Sequence, residues 1–534
     1  MNSELSSLTI KQKLGQLFMF GFEGHEVPEH MEMLFRDYYV GGIIYFRRNT
    51  ALPQQIAALS SGLQQLSSSY NSIPLAIAVD QEGGMVARID REVTVLPGQM
   101  TLGATGNAEL AYEAGRISAM ELAQLGITVN FAPVLDVNNN PLNPVIGIRS
   151  FGERPELVAQ LGSSMIRGYQ EMGLSACAKH FPGHGDTTVD SHQELPSVAH
   201  SLERIHAVEL VPFKAAIAAD VDMIMTAHVQ FPALEPDGTP ATLSPRVLTD
   251  LLRKELGFSG VIVTDCLEMN AISQGIGIGR GAVEAFKAGA DLILVSHRLD
   301  RQLEAYHAME AALATGEISE QRLDQSVARL LQLKQQQQRR QQQAKQHWLN
   351  IGNAKSLRRS EAMMEQAVTL VQDQRGHLPL LAGAETLVIW PEVRQSTEVD
   401  EVIEQELTLG KQLIKLGLQV EEMIVGTEPT QAELINLEEK LQAARFKQVI
   451  VGLYNASFST GQQRLVELLQ ASKDIKVVYI SLRNPYDIAL LSERDSYVCA
   501  YENRPAMLRA LGLALSGKLP FRGRLPVTLT AGKR

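Results

Sequence analysis

Residues 174 to 192 read LSACAKHFPGHGDTTVDSH. The first five, LSACA, form a short apolar run of the kind that makes a strand buried on both faces. The remainder, Lys179 to His192, gathers three histidines, two aspartates, a lysine and two glycines. Pro182 blocks regular pairing, and Gly183 and Gly185 open backbone angles closed to other residues, so this part reads as an irregular loop that positions polar groups. It is either the centre of an active site at a strand tip or a histidine-rich surface loop.

The same strand-then-polar-tip pattern recurs on both sides. QLFMFGF follows a short N-terminal helix; VGGIIYF spans 40 to 46 and PLAIAVD spans 74 to 80; ITVNFAPVLDV begins at 127, DMIMTAH at 222, GVIVTD at 260 and DLILVS at 291. Helical patterns such as AELAYEAGRISAMELAQLG and LERIHAVELVPFKAAIAA lie between most of them. Eight strands alternating with helices predict an α/β chain whose first domain is a (β/α)8 TIM-type barrel, with a doubly wound open sheet as the alternative. The polar residues favour the barrel: Asp80, Asp136, Lys179 with His180, His228 and Asp265 each stand at a strand's C-terminal end, where barrel active sites are built.

The amphipathic ISEQRLDQSVARLLQLKQ runs into QQQQRRQQQAKQHW, either a helix extension or a solvated linker, with Arg339 and Arg340 on a solvated face. Further on, ETLVIW, LQVEEMIV, KQVIVGLY, IKVVYIS and YVCAYEN are strand candidates of a smaller α/β sandwich domain, and NPYD at 484 to 487 reads as a helix-starting turn. The expected division is a catalytic barrel over 1–334, a Gln-rich helical linker over 335–360 and the sandwich domain over 361–534. No Gly-rich phosphate loop follows the sandwich's first strand, so a nucleotide site has no support.

Forty-nine basic against 60 acidic residues give a net charge of −11, which disfavours nucleic acid or an anionic membrane as the main partner. The three cysteines are far apart, which fits a reducing compartment, and the N-terminus lacks the order of a secretion signal. A cytoplasmic protein is expected. Oligomeric state is not legible.

Asp265, on a rigid strand end, suits a nucleophile or a metal ligand, or else a helix N-cap. Asp190 and His192, one residue apart, suit a carboxylate-oriented imidazole that shuttles protons near neutral pH. Asp80, Arg88, Arg149, Lys179 and His180 offer the donors and acceptors that fix sugar hydroxyls, although both arginines equally suit structural ion pairs. A competing reading gathers His180, His184, Asp186, Asp190, His192, His228 and Asp265 into a metal centre; it matches known zinc spacings poorly.

DQEGGMVARI at 80 to 89, FAPVLDV at 131 to 137, NPVIGIRSFG at 143 to 152, KHFPGHGDTTVDSH at 179 to 192 and TDCLEM at 264 to 269 together resemble glycoside hydrolase family 3, and within it the β-N-acetylglucosaminidases. TLVQDQRGHLPL, SLRNPYD and GKLPFRGRLPVTL more loosely resemble the family's C-terminal domain. The resemblance implies that Asp265 is the nucleophile, His192 the acid/base and Asp190 its partner, and that Asp80, Arg88, Arg149, Lys179 and His180 hold N-acetylglucosamine. It implies a retaining exo-enzyme with a covalent glycosyl-enzyme, no metal and no cofactor, acting on a carbohydrate substrate such as cell-wall muropeptide fragments or chitooligosaccharides. Phosphorolysis is the alternative, because a histidine acid/base leaves room for an anionic acceptor. A sugar-binding protein without catalysis is disfavoured by the presence of Asp265, Asp190 and His192. Met85, where the family often has arginine, and Cys266, where another acid is common, depart from the pattern. The glycines of the 179–192 loop suggest freedom for its far end to fold over the bound sugar.

Overall fold

The computed structural model describes residues 2–191, 194–394, 407–443, 445–472 and 475–529. Eight parallel strands form the first sheet: β1 (Phe18–Phe20), β2 (Gly42–Tyr45), β3 (Ala76–Val79), β4 (Val129–Asn130), β5 (Ser175–Phe181), β6 (Met223–Thr226), β7 (Val261–Val263) and β8 (Ile293–Val295). Their spatial order is β8-β1-β2-β3-β4-β5-β6-β7, and a parallel bridge between Val263 and Leu292 closes the ring. This is the expected barrel. Nearly every strand residue is buried, which is why the strands read as apolar runs rather than alternating ones.

The outer helices begin where local chemistry permits. Pro53 and Pro155 open the helices Pro53–Ser68 and Pro155–Glu171, and Asn107 caps Ala108–Gln124 by accepting from the Glu109 amide. LERIHAVELVPFKAAIAA, expected as one helix, is two, Leu202–Ala207 and Val211–Ala218. Pro212 explains the break: it has no N–H for the preceding turn and fits only the first turn of a new helix.

The Gln-rich stretch is helical from Glu320 through Ala344, and it crosses the base of the barrel. Lys334 donates to the Gly41 carbonyl below β2, Gln337 to the Thr128 carbonyl below β4, and Arg340 to both oxygens of Asp222 below β6. Arg340 is therefore not on a solvated face. Its guanidinium meets a buried carboxylate, whereas Arg339 stays exposed.

The second sheet comprises β9 (Thr369–Gln372), β10 (Thr386–Glu392), β11 (Val420–Gly426), β12 (Gln448–Leu453), β13 (Lys476–Ser481) and β14 (Ser496–Cys499), in the order β9-β14-β13-β12-β10-β11. All pairs are parallel except β9 with β14. Strand β9 escaped the sequence reading because it is a four-residue edge strand with half of its residues partly exposed and an irregular register. NPYD does start a helical turn, Pro485–Leu490. The two domains share apolar packing: Met85, Met100, Ala104 and Ile148 of the barrel belong to the second domain's core.

Candidate active site

A cavity of about 470 Å³ opens at the C-terminal ends of the barrel strands. Beyond β3 the chain forms a short hairpin, Gln81–Gly83 with Val86–Ala87, turned by Gly83 (φ 96°) and Gly84 (φ 55°). The Gln81 side chain bonds both the amide and the carbonyl of Ile89, and Asn130 of β4 bonds the Gln81 backbone in both directions. The hairpin is thus pinned at its root, and Asp80, Glu82 and Arg88 all reach the cavity from it.

Three charged segments meet there. Lys179 Nζ lies 2.7 Å from Asp80 Oδ1 and 2.8 Å from Glu82 Oε1. Arg149 grips Glu82 with two parallel bonds, Nε at 3.0 Å and Nη2 at 2.8 Å. Burial alone would raise the Glu82 pKa, but the Arg149 and Lys179 cations outweigh it and hold the carboxyl below the usual range. Burial likewise opposes the charge on Lys179, and Asp80 and Glu82 restore it. Glu82 is a fixed anion, not a proton carrier. Sequence reasoning gave it no role; the signal present was the Asp80-x-Glu82 spacing, which puts both carboxylates on one side of an extended segment.

Asp136, fully buried beyond β4, organises the start of the 179–192 loop. It accepts from His180 Nδ1 at 2.7 Å and from the amides of His180 (3.2 Å) and His184 (2.6 Å). Burial opposes its ionisation, and His180 overcomes it, keeping its pKa low. His184 is hydrogen-bonded to Thr187 and Ser191, and burial lowers its pKa to about 4. It is neutral at ordinary pH. Gly185 serves close packing rather than loop freedom, since a Cβ there would collide with the Val137 carbonyl. The first half of the loop is therefore clamped.

Asp265 leaves the end of β7 half-buried at the cavity wall, with Oδ1 accepting from the Cys266 amide at 2.7 Å. Burial pushes the neighbouring Cys266 thiol up to about 12, so the thiol adds no negative charge beside Asp265. His228 does not line the cavity. It wedges between the Thr242 hydroxyl and the Cys266 carbonyl, behind the Asp265 strand end.

Asp80, Arg88, Arg149, Lys179, His180 and Asp265 all line this one cavity, together with Arg47, Arg48 and His297, which sequence reasoning did not select. Asp190 is half-buried in the loop, next to the cavity-lining Ser191. His192 lies outside the described residues. Four of the described residues weighed as a metal set turn to separate partners: His180 faces Asp136, His184 faces Thr187 and Ser191, Asp186 pairs with His200, and His228 meets Thr242 and Cys266. Among the described residues one cluster, Cys266, Glu268 and His297, brings ligand atoms within 4.8 Å of one another. Arg48 Nη1, 3.1 Å from His297 Nδ1, already places a cation there, and Glu268 accepts the His297 and Arg298 amides. That cluster fits a structural network better than a metal.

A family model described as "Glycosyl hydrolase family 3 N terminal domain" matches residues 9–333. The chain is 33% identical to "Beta-hexosaminidase A" of Pseudoalteromonas piscicida over 98% of this chain and 97% of that protein. It is 37% identical to a "Beta-hexosaminidase" of Alkalilimnicola ehrlichii over 53% of this chain and 80% of that one. Among solved structures it superposes with a TM-score of 0.94 and 49% identity on "a glycoside hydrolase family 3 beta-N-acetylglucosaminidase from Paenibacillus sp. str. FPU-7", covering 98% of this chain and all of the other. A closed barrel with its charged residues converging at the strand tips, a second α/β domain packed against it and matches along nearly the whole length agree: the chain is an enzyme that belongs to glycoside hydrolase family 3.

Proposed function

We propose that the protein is a retaining exo-β-N-acetylglucosaminidase. The observation that carries this reading is the placement of Asp265 on the wall of the same cavity as the Asp80–Lys179–Glu82–Arg149 lattice, a strand-end carboxylate beside a fixed array of donors and acceptors. The names of the relatives support the substrate class, and the volume falls within the roughly 300–1,000 Å³ usual for small-molecule sites. Asp265 attacks the anomeric carbon while His192, oriented by Asp190, protonates the leaving oxygen. His192 then deprotonates water, which releases the sugar from the covalent glycosyl-enzyme. Asp80, Arg88, Arg149, Lys179 and His180 hold the N-acetylglucosamine; no metal takes part. Burial makes the lattice stiff, so hydroxyls meet preset partners rather than reorganising ones.

The natural substrates this reading favours are N-acetylglucosamine-terminated muropeptide fragments or chitooligosaccharides in the cytoplasm. No helix among the described residues is long and apolar enough to cross a membrane. The deciding experiment is NMR of the first product released from an aryl N-acetyl-β-glucosaminide, with and without inorganic phosphate. β-N-acetylglucosamine appearing first in both supports the reading. The α-anomer first would overturn the double displacement, and an N-acetylglucosamine 1-phosphate product would replace hydrolysis with phosphorolysis.

A further inference from the structure

The hairpin that carries Asp80, Glu82 and Arg88 is held at its tip and at its far end by one side chain from the other domain. Arg504 follows β14 and is 3% exposed. Its Nε donates to the Gly84 carbonyl at 2.7 Å and its Nη1 to Asp90 Oδ2 at 3.0 Å; among the described residues its side-chain hydrogen bonds all go to the barrel. Asp90 Oδ2 also accepts from Arg47 Nη1 at 2.9 Å, and Arg47 lines the cavity. One carboxylate therefore links a second-domain arginine to a cavity-wall arginine.

Independent contacts fix the same tip. Glu502 Oε1 accepts from the Gly98 amide at 3.1 Å and from the Thr101 hydroxyl at 2.6 Å. A Cβ at Gly84 would strike Gly98, and Met85 is buried in the second domain's core. A buried arginine that spends its donors on a carbonyl and a carboxylate of another domain costs desolvation, and its bidentate reach makes the geometry it imposes specific.

We infer that Arg504 is a positioning residue for the active site: through Gly84 and Asp90 it sets the hairpin that presents Asp80, Glu82 and Arg88, and through Asp90 it sets Arg47. The second domain is then part of the barrel's catalytic apparatus without touching substrate. This rests on the proposed glycosidase reading for its kinetic readout.

The test compares wild type, Arg504→Ala, Asp90→Asn and the double variant on an aryl N-acetyl-β-glucosaminide, at temperatures where circular dichroism shows each fully folded. Displacing a positioning element typically costs up to about 100-fold, so each single variant should lose roughly 10- to 100-fold in kcat/KM. The double variant should lose no more than the worse single, and added ethylguanidinium should partly restore Arg504→Ala but not the double variant. Wild-type kcat/KM in folded Arg504→Ala, with only a lower melting temperature, overturns the inference. If Arg504→Ala does not fold, unchanged kinetics in Asp90→Asn does the same. If wild type fails to cleave the substrate, the proposed function falls instead, and hydrogen exchange reads the positioning directly: faster exchange over residues 80–90 in Asp90→Asn supports it, and unchanged exchange overturns it.

Discussion

Arg149 and Glu82 face each other fork to fork, with Nε and Nη2 at 3.0 and 2.8 Å from the two carboxylate oxygens, and Lys179 completes the neutralisation from the other side. The cavity's charge pattern depends on this one buried anion.

Replacing Glu82 by Gln should therefore be severe. Breaking a buried ion pair by removing one partner leaves the other uncompensated and costs on the order of 3–5 kcal/mol, measurable by urea unfolding at neutral pH. Because the folded-state pKa of Glu82 is depressed, its stabilisation is present above the ordinary glutamate pKa and is lost as the pH falls through the lower folded value. The stability gap between wild type and variant should shrink in acid. A gap that widens on acidification contradicts this assignment.

Asp265→Ala should abolish turnover of all aryl N-acetyl-β-glucosaminides, by about 10³-fold or more in kcat, as expected for loss of a nucleophile. Asp190→Ala should instead lose most on poor leaving groups and little on activated ones, since activated aglycones need less proton help. Steady-state kinetics across a leaving-group series separates the two.

Gly185→Ala places a methyl against the Val137 carbonyl at the clamped start of the loop. Overpacking of this kind costs about 1–3 kcal/mol. The variant should melt lower and bind a substrate-analogue inhibitor more weakly, because His184 and Asp136 share the displaced backbone. Calorimetry and inhibitor titration check both.

Lys334 is buried at the base of the barrel, and burial lowers its pKa to about 7. A base whose pKa is lower folded than unfolded penalises the fold at low pH, and the penalty fades between about 7 and the ordinary lysine value near 10.5. Wild-type stability relative to Lys334→Met should therefore rise with pH through that window, by up to about 1.4 kcal/mol per pH unit. Chemical denaturation at pH 6, 8 and 9.5 measures the trend; a flat difference refutes it.

The strands and their polar tips were legible because parallel strands buried on both faces appear as uninterrupted apolar runs, and a charged residue at the end of each has one place to go. Asp80, Asp136, Lys179, His180 and Asp265 are picked out this way, whereas Arg88 and Arg149 stand away from the strand ends and are picked out by their chemistry and the family resemblance. Glu82 was not, because its role exists only when residues 67 and 97 positions away close on it. The Gln-rich stretch is legible as a helix, but its docking is not: the anchoring side chains Lys334, Gln337 and Arg340 are polar, so no apolar periodicity marks the face that binds the barrel base. Strand β9 was too short and too exposed to carry a pattern.

The barrel's base is finished by residues that come after its last strand. Lys334, Gln337 and Arg340 meet partners 293, 209 and 118 positions earlier in the chain. During synthesis from the N-terminus, every strand and all the groups of the cavity leave the ribosome before the rim carbonyls of Gly41 and Thr128 and the carboxylate of Asp222 can be covered. A nascent chain stopped after His297 holds every residue that lines the cavity with the floor still open, so the segment that lines the cavity ends before the segment that closes the base beneath it.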